Sequence, residues 1–312
     1  MQRRLLPVAA LLLCAVFAAP AQANFKVGMA DQNVRMFDSP RFDALKIKRI
    51  RYLVPYDWYK RSFQVNEIKA FMGRAQAEGA EVLVHFTARR GCYRNGRYSR
   101  SKKCKAPKVK TFVSSFKRYR KAFPFAKTYG IWNEGNHVSQ PVYSKPALVG
   151  RYFLAARKAC RSCTLVGADL LDGSNMERWV RAFDRASKGK ASIYGLHNYG
   201  DVNRLRTSGT QRLLRTVSGQ VWLTETGGIL TFLPAFKRSE KRQANRTKYM
   251  FRLTDRYDRR VSGMRSRITR LYNYQWTGVA RRAGFDAGLV NPNGSARKAY
   301  KTFKKYAKKY DR

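Results

Sequence analysis

Two glutamates, Glu134 and Glu225, lie where predicted strands end, in a chain with 19 acidic residues against 65 lysines and arginines. The other glutamates fall on predicted helices or, in one case, at the start of a strand: Glu67, Glu78, Glu81, Glu177 and Glu240. Cleavage of a glycosidic bond requires two facing carboxyl groups, because a protonated one releases the leaving oxygen while an ionised one faces the developing oxocarbenium ion. A single strand-end glutamate is usually a solvated loop residue, but two that converge predict an acid/base pair.

Candidate substrate-binding residues lie within predicted strands, at their ends or just past them. They are Arg51, Trp58, His85, Asn133, Asn136, His137, His197, Tyr199, Tyr274 and Trp276. Arg51 is expected to bind the Glu225 carboxylate through a charge-assisted hydrogen bond, although it is one arginine among many. His85 is explained equally well as a structural residue of the core. A zinc-dependent hydrolase is the alternative that three histidines raise, but no HxH or HExxH spacing occurs, and no metal or other cofactor is predicted.

Alternating strand and helix patterns explain why these residues would meet. Period-2 alternation and short apolar runs predict eight strands, over 25–32, 47–54, 81–87, 127–133, 164–170, 193–198, 221–226 and 268–275. Helical periodicity predicts the helices between and after them, over 39–45, 65–78, 109–122, 146–159, 176–186, 211–217, 239–257 and 295–309.

This strict alternation predicts an α/β protein, a single-domain (β/α)8 TIM barrel, because each parallel strand needs a helical crossover. The alternative, an open doubly wound sheet, has no GxGxxG fingerprint to support it. In a TIM barrel the active site lies at the C-terminal ends of the strands, which is where both glutamates are predicted to stand.

Two segments resemble the retaining glycoside hydrolases of clan A, the 4/7 superfamily. They are Gly130-Ile131-Trp132-Asn133-Glu134-Gly135-Asn136 at the fourth strand and Val221-Trp222-Leu223-Thr224-Glu225-Thr226-Gly227 on the seventh. The resemblance implies double displacement, with Glu225 as the nucleophile and Glu134 as the acid/base. The clan's common Asn-Glu-Pro is Asn-Glu-Gly here, and the cellulase-like, β-xylosidase-like and short β-1,3-glucanase-like branches remain open.

The resemblance also implies roles for residues near the pair. Asn133 would bond the 2-hydroxyl of the sugar. His197-Asn198-Tyr199 is similar to the clan's His-x-Tyr, in which the tyrosine hydroxyl bonds the nucleophile. Trp276 matches the strand-eight tryptophan beneath the central sugar subsite, while core packing is the alternative for Tyr274.

The N-terminus predicts export. A short basic stretch precedes an apolar run, and Ala21-Gln22-Ala23 matches a cleavage site, so residues 1–23 are predicted to be a signal peptide and 24–312 the catalytic domain. The apolar run is too short for a membrane-spanning helix, and no later segment is long and apolar enough. The expected product is a secreted or extracytoplasmic monomer without a transmembrane segment.

Four cysteines remain after residue 23, and oxidising conditions favour two disulfides. Sequence neighbours pair Cys92 with Cys104 and Cys160 with Cys163, although four cysteines allow three pairings. A zinc site and a redox CxxC are the alternatives, but Cys160-Arg161-Ser162-Cys163 has no second CxxC and no strand-to-helix redox context.

The formal net charge of +46 predicts attraction to polyanions through counterion release. The cations spread over many predicted helices, which is also typical of a solvated outer surface. Two functions follow: a glycoside hydrolase with a carbohydrate substrate, held near an anionic cell-envelope polymer, or a non-catalytic barrel that binds cell-wall polyanions, acidic glycans or nucleic acid. Export argues against a specific nucleic-acid partner. The basic loop between Cys92 and Cys104 is expected to border the cleft and to influence substrate choice.

Overall fold

A computed structural model of the chain describes residues 25–94, 96–280 and 284–310, and the predicted signal peptide, residues 1–23, lies outside them. All eight predicted strands are present, with small differences at their ends. They are β1 (Lys26–Ala30), β2 (Arg49–Pro55), β3 (Glu81–Thr87), β4 (Thr128–Gly130), β5 (Thr164–Val166 and Asp169–Leu171), β6 (Ile193–His197), β7 (Gly219–Thr226) and β8 (Ser266–Tyr274).

The fifth strand closes the sheet into a barrel by changing its partner half-way. Its first segment pairs with β4 and its second with β6. Between the two segments, Gly167 N donates to Ile193 O at 2.9 Å. The remaining strands follow in the order β4-β3-β2-β1-β8-β7-β6, and every pairing is parallel. The predicted (β/α)8 barrel is therefore confirmed.

Nine α-helices occur within the described residues. They are α1 (Pro40–Asp43), α2 (Ser62–Ala77), α3 (Val109–Ala122), α4 (Pro146–Ala159), α5 (Met176–Ala186), α6 (Tyr199–Arg204), α7 (Ser208–Thr216), α8 (Glu240–Arg256) and α9 (Lys298–Tyr310). The bounds of α3, α4 and α5 match the sequence prediction. Helix α6 was not predicted, because its six residues are too few to show helical periodicity.

Shorter elements complete the loops. There are 3-10 turns at Val34–Asp38, Trp58–Lys60 and Lys102–Cys104, an antiparallel pair formed by Tyr93–Arg94 and Arg97–Tyr98, and another formed by Thr231–Phe232 and Phe285–Asp286. Both predicted disulfides are present, with Cα atoms 5.6 Å apart in Cys92–Cys104 and 5.4 Å apart in Cys160–Cys163. Within the described residues, no helix is long and apolar enough to span a membrane.

The pleat of the strands divides the core into an outer layer and a barrel interior. On β2, Ile50, Tyr52 and Val54 join the outer layer that packs against the helices, whereas Arg51 between them points inward. His85 on β3 also points inward, since it contacts Arg51. Apolar side chains fill another part of the interior: Ala30, Leu83, Val166, Trp222 and Tyr272. Strand alternation thus places charged side chains inside the barrel, next to an apolar cluster.

A buried ion pair joins two segments of the chain between β8 and α9. Arg297 donates from its two terminal nitrogens to the two carboxylate oxygens of Asp286, at 2.8 Å each. Both residues are almost completely buried, and Arg297 also donates to Gly288 O at 2.9 Å. A bidentate pair of this kind ties the segment at Asp286 to the residue that precedes α9.

Substituting Asp286→Asn should lower the free energy of unfolding by about 3–5 kcal/mol, because it leaves the buried Arg297 charge without its partner. Urea unfolding followed by circular dichroism measures this loss. Asp43→Asn, which removes an exposed ion pair with Lys46, is the control and should cost less than about 1 kcal/mol. Equal losses in the two variants would contradict the role given to burial.

Candidate active site

The two strand-end glutamates approach the same histidine atom. Glu225 is the next-to-last residue of β7, and Glu134 follows β4 with a φ of 47°, which is uncommon outside glycine. Glu134 Oε1 lies 3.1 Å and Glu225 Oε2 3.8 Å from His197 Nδ1, so the two oxygens are at most about 7 Å apart. The glutamate side chains are 21% and 13% exposed, whereas His197 is fully buried. Both carboxylates therefore face the open end of the barrel.

Two donors hold the Glu225 carboxylate in place. Arg51 donates to Oε2 at 2.8 Å, and the Tyr199 hydroxyl donates to Oε1 at 3.1 Å. Arg51 comes from β2 and Tyr199 from the first residue of α6, so the donors reach the carboxylate from different parts of the barrel. The structure thus brings together three residues that the sequence placed in the site, and it gives the Glu225 carboxylate a fixed orientation.

His197 connects the glutamates to a third carboxylate below them. Its Nε2 lies 3.0 Å from Asp169 Oδ2, while its Nδ1 faces Glu134. Nε2 also lies 3.2 Å from Arg51 Nη2. Donation from both ring nitrogens to the two carboxylates corresponds to the charged imidazolium. Burial lowers the pKa of His197, but the charges of Asp169 and Glu225, with the hydrogen bonds to Asp169 and Glu134, outweigh burial and raise the pKa to about 10.

Asp169 is a residue of the site that sequence analysis missed. It lies fully buried inside the barrel, where it accepts from Thr224 Oγ1 and places Oδ2 within 3.5 Å of Arg51, His85 and His197. Burial raises its pKa, but the neighbouring His197, His85 and Arg51 outweigh burial and hold the pKa below its usual value. A carboxylate within an apolar predicted strand was the available signal, because a buried charge needs a partner.

His85 supports Arg51 and has no access to a sugar. Its Nδ1 accepts from Arg51 Nε at 3.0 Å, so its own proton lies on Nε2, 3.5 Å from Asp169 Oδ2. Burial lowers the pKa of His85 to about 3, which agrees with a neutral ring. Because His85 is fully buried, the structural reading of this residue holds, and its prediction as a substrate-binding residue is corrected.

Asn133 and His137 flank Glu134. Asn133 Oδ1 accepts from Arg51 at 2.5 Å, so the arginine that binds Glu225 also orients this amide. His137 Nδ1 lies 4.0 Å from Glu134 Oε2 and 2.7 Å from Ser139 Oγ. One oxygen of Glu134 therefore faces His197 and the centre of the site, while the other faces His137 and the loop beyond it.

The protonation of Glu134 departs from the expectation that this carboxyl holds its own proton. Burial raises its pKa, but the hydrogen bond from His197 and the charges of His197 and His137 outweigh burial and lower the pKa below its usual value. The directions of these two pKa shifts favour the proton on His197, 3.1 Å from Glu134 Oε1, over Glu134 itself.

Two tryptophans predicted to bind substrate are core residues instead. Trp58 packs edge-on against Tyr119 of α3, and Trp276 packs edge-on against Phe42 and Tyr300. Both are almost completely buried. Each tryptophan lies a few residues after the end of a strand. Its ring packs in the layer between the sheet and the helices.

The other strand-end candidates separate in the same way. Tyr274 stays at the mouth of the barrel, where its ring lies beside Phe285, and burial and then the charge of Glu225 raise its pKa. Asn136 turns away from the site, because its amide group bonds both the N–H and the carbonyl of Leu171. Asn136 thus joins two loops, and its prediction as a substrate-binding residue is corrected.

A cleft of about 950 Å³ opens at the same end of the barrel. Residues of α2 and of the ends of four strands line it, among them Asp31 and Gln32 after β1, Thr87 at the end of β3 and Gln275 after β8. Glu134 and Glu225 are not among its lining residues. This volume lies at the upper end of the range typical of small-molecule sites and suits more than one sugar ring.

The chain shares the barrel fold of glycoside hydrolase families 5 and 10. Similar solved structures include GH5_18 from Streptomyces cattleya in complex with GlcNAc, with a TM-score of 0.63 at 13% identity over 93% of this chain and 81% of that chain. The native xylanase 10B from Thermotoga maritima gives a TM-score of 0.57 at 14% identity over 92% of this chain and 96% of that chain.

A third similar structure is the CBM22-1–GH10 part of the endo-1,4-β-D-xylanase 10B from Clostridium thermocellum, complexed with xylohexaose. Its TM-score is 0.62 at 15% identity, over 96% of this chain and 70% of that chain. No protein-family model matches the sequence, and a comparison with curated proteins finds no match. Identities this low establish the fold, so the chemistry rests on this chain's own geometry.

The raised pKa of His197 should make stability depend on pH. Its pKa is about 6.5 in an unfolded chain and about 10 in the folded protein, so between these values the folded state binds a proton that the unfolded state lacks. The contribution is complete below the unfolded value and is lost as pH rises through the folded one, at up to about 1.4 kcal/mol per pH unit.

Urea unfolding of the wild type and of His197→Gln at intervals between pH 6 and 10 measures this effect. The difference in unfolding free energy between the two proteins should shrink as pH rises. A difference that stays constant across the whole range would show that His197 is not charged in the folded state.

Proposed function

We propose that the protein is a retaining glycoside hydrolase that cleaves O-glycosidic bonds of a polysaccharide or oligosaccharide, with Glu225 as the nucleophile and Glu134 as the acid/base. The approach of both carboxylates to His197 Nδ1, with Glu225 fixed by Arg51, carries this proposal. The two glutamate oxygens that face His197 are at most about 7 Å apart, which is compatible with the close spacing of retaining enzymes. Glycoside hydrolases with the same fold add support.

The reaction takes two steps. In the first, Glu225 attacks the anomeric carbon, the glycosidic carbon–oxygen bond breaks, and Glu134 passes a proton to the departing oxygen. In the second, Glu134 accepts a proton from water, whose oxygen attacks the anomeric carbon and releases Glu225. Arg51 and Tyr199 receive the Glu225 carboxylate again in its original orientation.

The proton for the first step belongs to the pair formed by Glu134 and His197. It lies on His197 in the free enzyme, and it crosses the 3.1 Å to Glu134 as Glu134 protonates the leaving group. Asp169 holds the opposite nitrogen and keeps Nδ1 aimed at Glu134. In the second step the proton from water returns by the same path, so the pair holds one proton before and after each cycle.

The site has partners for the sugar as well as for the proton. Asn133, which Arg51 orients, bonds the 2-hydroxyl of the reacting sugar, and Tyr274 at the mouth packs on a sugar face. We expect further sugars of the substrate to lie along the 950 Å³ cleft at the ends of β1, β3 and β8, which the two glutamates do not line. We also propose that the protein acts outside the cytoplasm, which two disulfides and a net charge of +46 beside an anionic envelope support.

The second candidate function is a barrel that binds anionic glycans without cleaving them. The lowered pKa of Glu134 favours it, because a general acid normally retains its proton. Glu134 can still act as a general acid if it receives its proton from His197. Activity measurements separate the two functions.

Glu134→Gln and Glu225→Gln should each reduce kcat/KM by about 100- to 10,000-fold, because each removes one of the two carboxyl groups that the reaction needs. Release of reducing ends from xylan, β-glucan and mannan measures the loss, and proton NMR of the first products should show retained anomeric configuration. Glu78→Gln, at the C-terminus of α2, is the control and should leave activity unchanged. Equal activity in the wild type and both site variants would end the assignment.

His197→Asn should move the alkaline limb of the kcat/KM profile to lower pH by about one unit or more, because Glu134 then holds the catalytic proton alone. Asp169→Asn should move it in the same direction by less, since the ring remains. Tyr199→Phe, which removes a donor to Glu225 but leaves the proton pair, should lower the rate without moving the limb. A uniform loss at every pH in the first two variants would indicate a structural role only.

A further inference from the structure

The loop between β3 and α3, residues 91–108 and here called the basic loop, carries a hairpin that is held firmly in place. Tyr93 pairs with Tyr98 and Arg94 pairs with Arg97 across two short antiparallel strands. A disulfide closes the loop, and the Tyr98 hydroxyl donates to a backbone carbonyl at 2.7 Å. Strand pairing, a disulfide and a side-chain hydrogen bond therefore all constrain this hairpin.

The charges of the basic loop have one sign. Its sequence contains seven lysines and arginines and no acidic residue. The two arginines just before the loop differ, because Arg89 is paired with Asp57 and Arg90 with Glu67. Among the residues that the structure describes, none of the seven forms an ion pair, and all are exposed: Arg94, Arg97, Arg100, Lys102, Lys103, Lys105 and Lys108.

The facing arginines are the sharpest feature of this loop. Like charges directly opposite each other on paired strands are unfavourable. Arg94 and Arg97 occupy such a pair of positions at the tip of a disulfide-closed hairpin. An anion placed between two guanidinium groups removes the repulsion and accepts several charge-assisted hydrogen bonds. Binding of an anionic group at the tip would therefore relieve the repulsion between the two arginines.

The hairpin lies beside Glu134, on the side away from Glu225. The ring of Tyr93 meets the ring of His137 edge-on, with centroids 6.4 Å apart. His137 in turn lies 4.0 Å from Glu134 Oε2, whereas Oε1 faces His197. Because Glu134 protonates the departing oxygen, the hairpin borders the part of the cleft that holds the leaving group.

We propose that the basic loop is a binding site for the anionic substituents of the leaving-group sugars, and hence that the substrate is an acidic polysaccharide bearing carboxylate or sulfate groups. This inference rests on the proposed glycoside hydrolase function, which identifies the leaving-group side. Tyr93, at 39% exposure, offers a ring face to a sugar, and the paired arginines beyond it bind the charged group.

The test compares three charge forms of the same polysaccharide backbone, and it does so for two backbones. Xylan and β-glucan are each prepared neutral, carboxymethylated and sulfated, and Michaelis constants are measured for the wild type and for Arg94→Gln/Arg97→Gln. The double variant should raise KM on the anionic forms by about three- to tenfold, with kcat and the neutral-form KM unchanged. The carboxymethylated and sulfated arms show which anion the loop prefers.

A matched control separates the hairpin from the overall positive charge. Arg178→Gln/Arg181→Gln changes the net charge by the same amount at two exposed positions of α5. It should leave every KM unchanged. An equal rise in KM in the control, or an equal rise on the neutral form in the hairpin variant, would overturn the proposal.

A binding measurement keeps this test independent of hydrolysis. Affinity electrophoresis of the three proteins in gels containing each polysaccharide form reports retardation without turnover. If the wild type hydrolyses none of them but the hairpin variant alone loses retardation by the anionic forms, the binding site stands and the hydrolase assignment fails. If all three proteins are retarded equally by the anionic forms, the binding site fails, whatever the hydrolysis assay shows.

Discussion

The site depends on one buried carboxylate, Asp169, that lies between two positive charges inside the barrel. Arg51 and His197 both contact its Oδ2, and all three side chains are fully buried. A charge in such a place is costly unless it is paired, so these side chains have few alternative arrangements that keep the barrel folded. Arg51 belongs to β2, Asp169 to β5 and His197 to β6. The pairing therefore ties three strands together in one register, and that register determines where Glu134 and Glu225 meet.

Room for these charged side chains comes from glycines on the neighbouring strands. A Cβ atom on Gly130 of β4 would lie 1.6 Å from the His85 ring, and one on Gly195 of β6 would lie 2.0 Å from an oxygen of Asp169. Any side chain at either position would displace the group that orients Arg51 or His197. The charged side chains thus occupy a part of the interior where two strands have no side chains of their own. They orient the glutamates at the mouth, because Arg51 donates to Glu225 and His197 faces Glu134.

The sequence was sufficient for the fold and for the residues that stand at strand ends, because both follow from local periodicity. Glu134 and Glu225 were identified in this way. Arg51 was chosen for its place within the second strand, and His197 and Tyr199 for their resemblance to the clan's His-x-Tyr; the structure brings all five together. Asp169 was missed because an apolar run hides a single inward carboxylate, whose value depends on partners from other strands. Trp58 and Trp276 were wrongly predicted to bind substrate for a related reason. The end of a strand shows how far along the barrel a residue lies, but not the direction in which its side chain points. The proton on His197 could not be predicted either, because it results from three carboxylates that are distant in sequence.

The site carries an excess of negative charge, whereas the chain as a whole is strongly positive. Three carboxylates and two cations meet at the mouth and beneath it, whereas the whole chain carries a net charge of +46. A local excess of negative charge favours an oxocarbenium-like transition state, and it repels an anionic group on the sugar that is being attacked. The cations of the basic loop lie on the far side of Glu134, reached through His137 and Tyr93. A substrate that suits both the carboxylates of the site and the cations of the basic loop would present a neutral ring to Glu225. Its anionic groups would lie on sugars beyond the scissile bond.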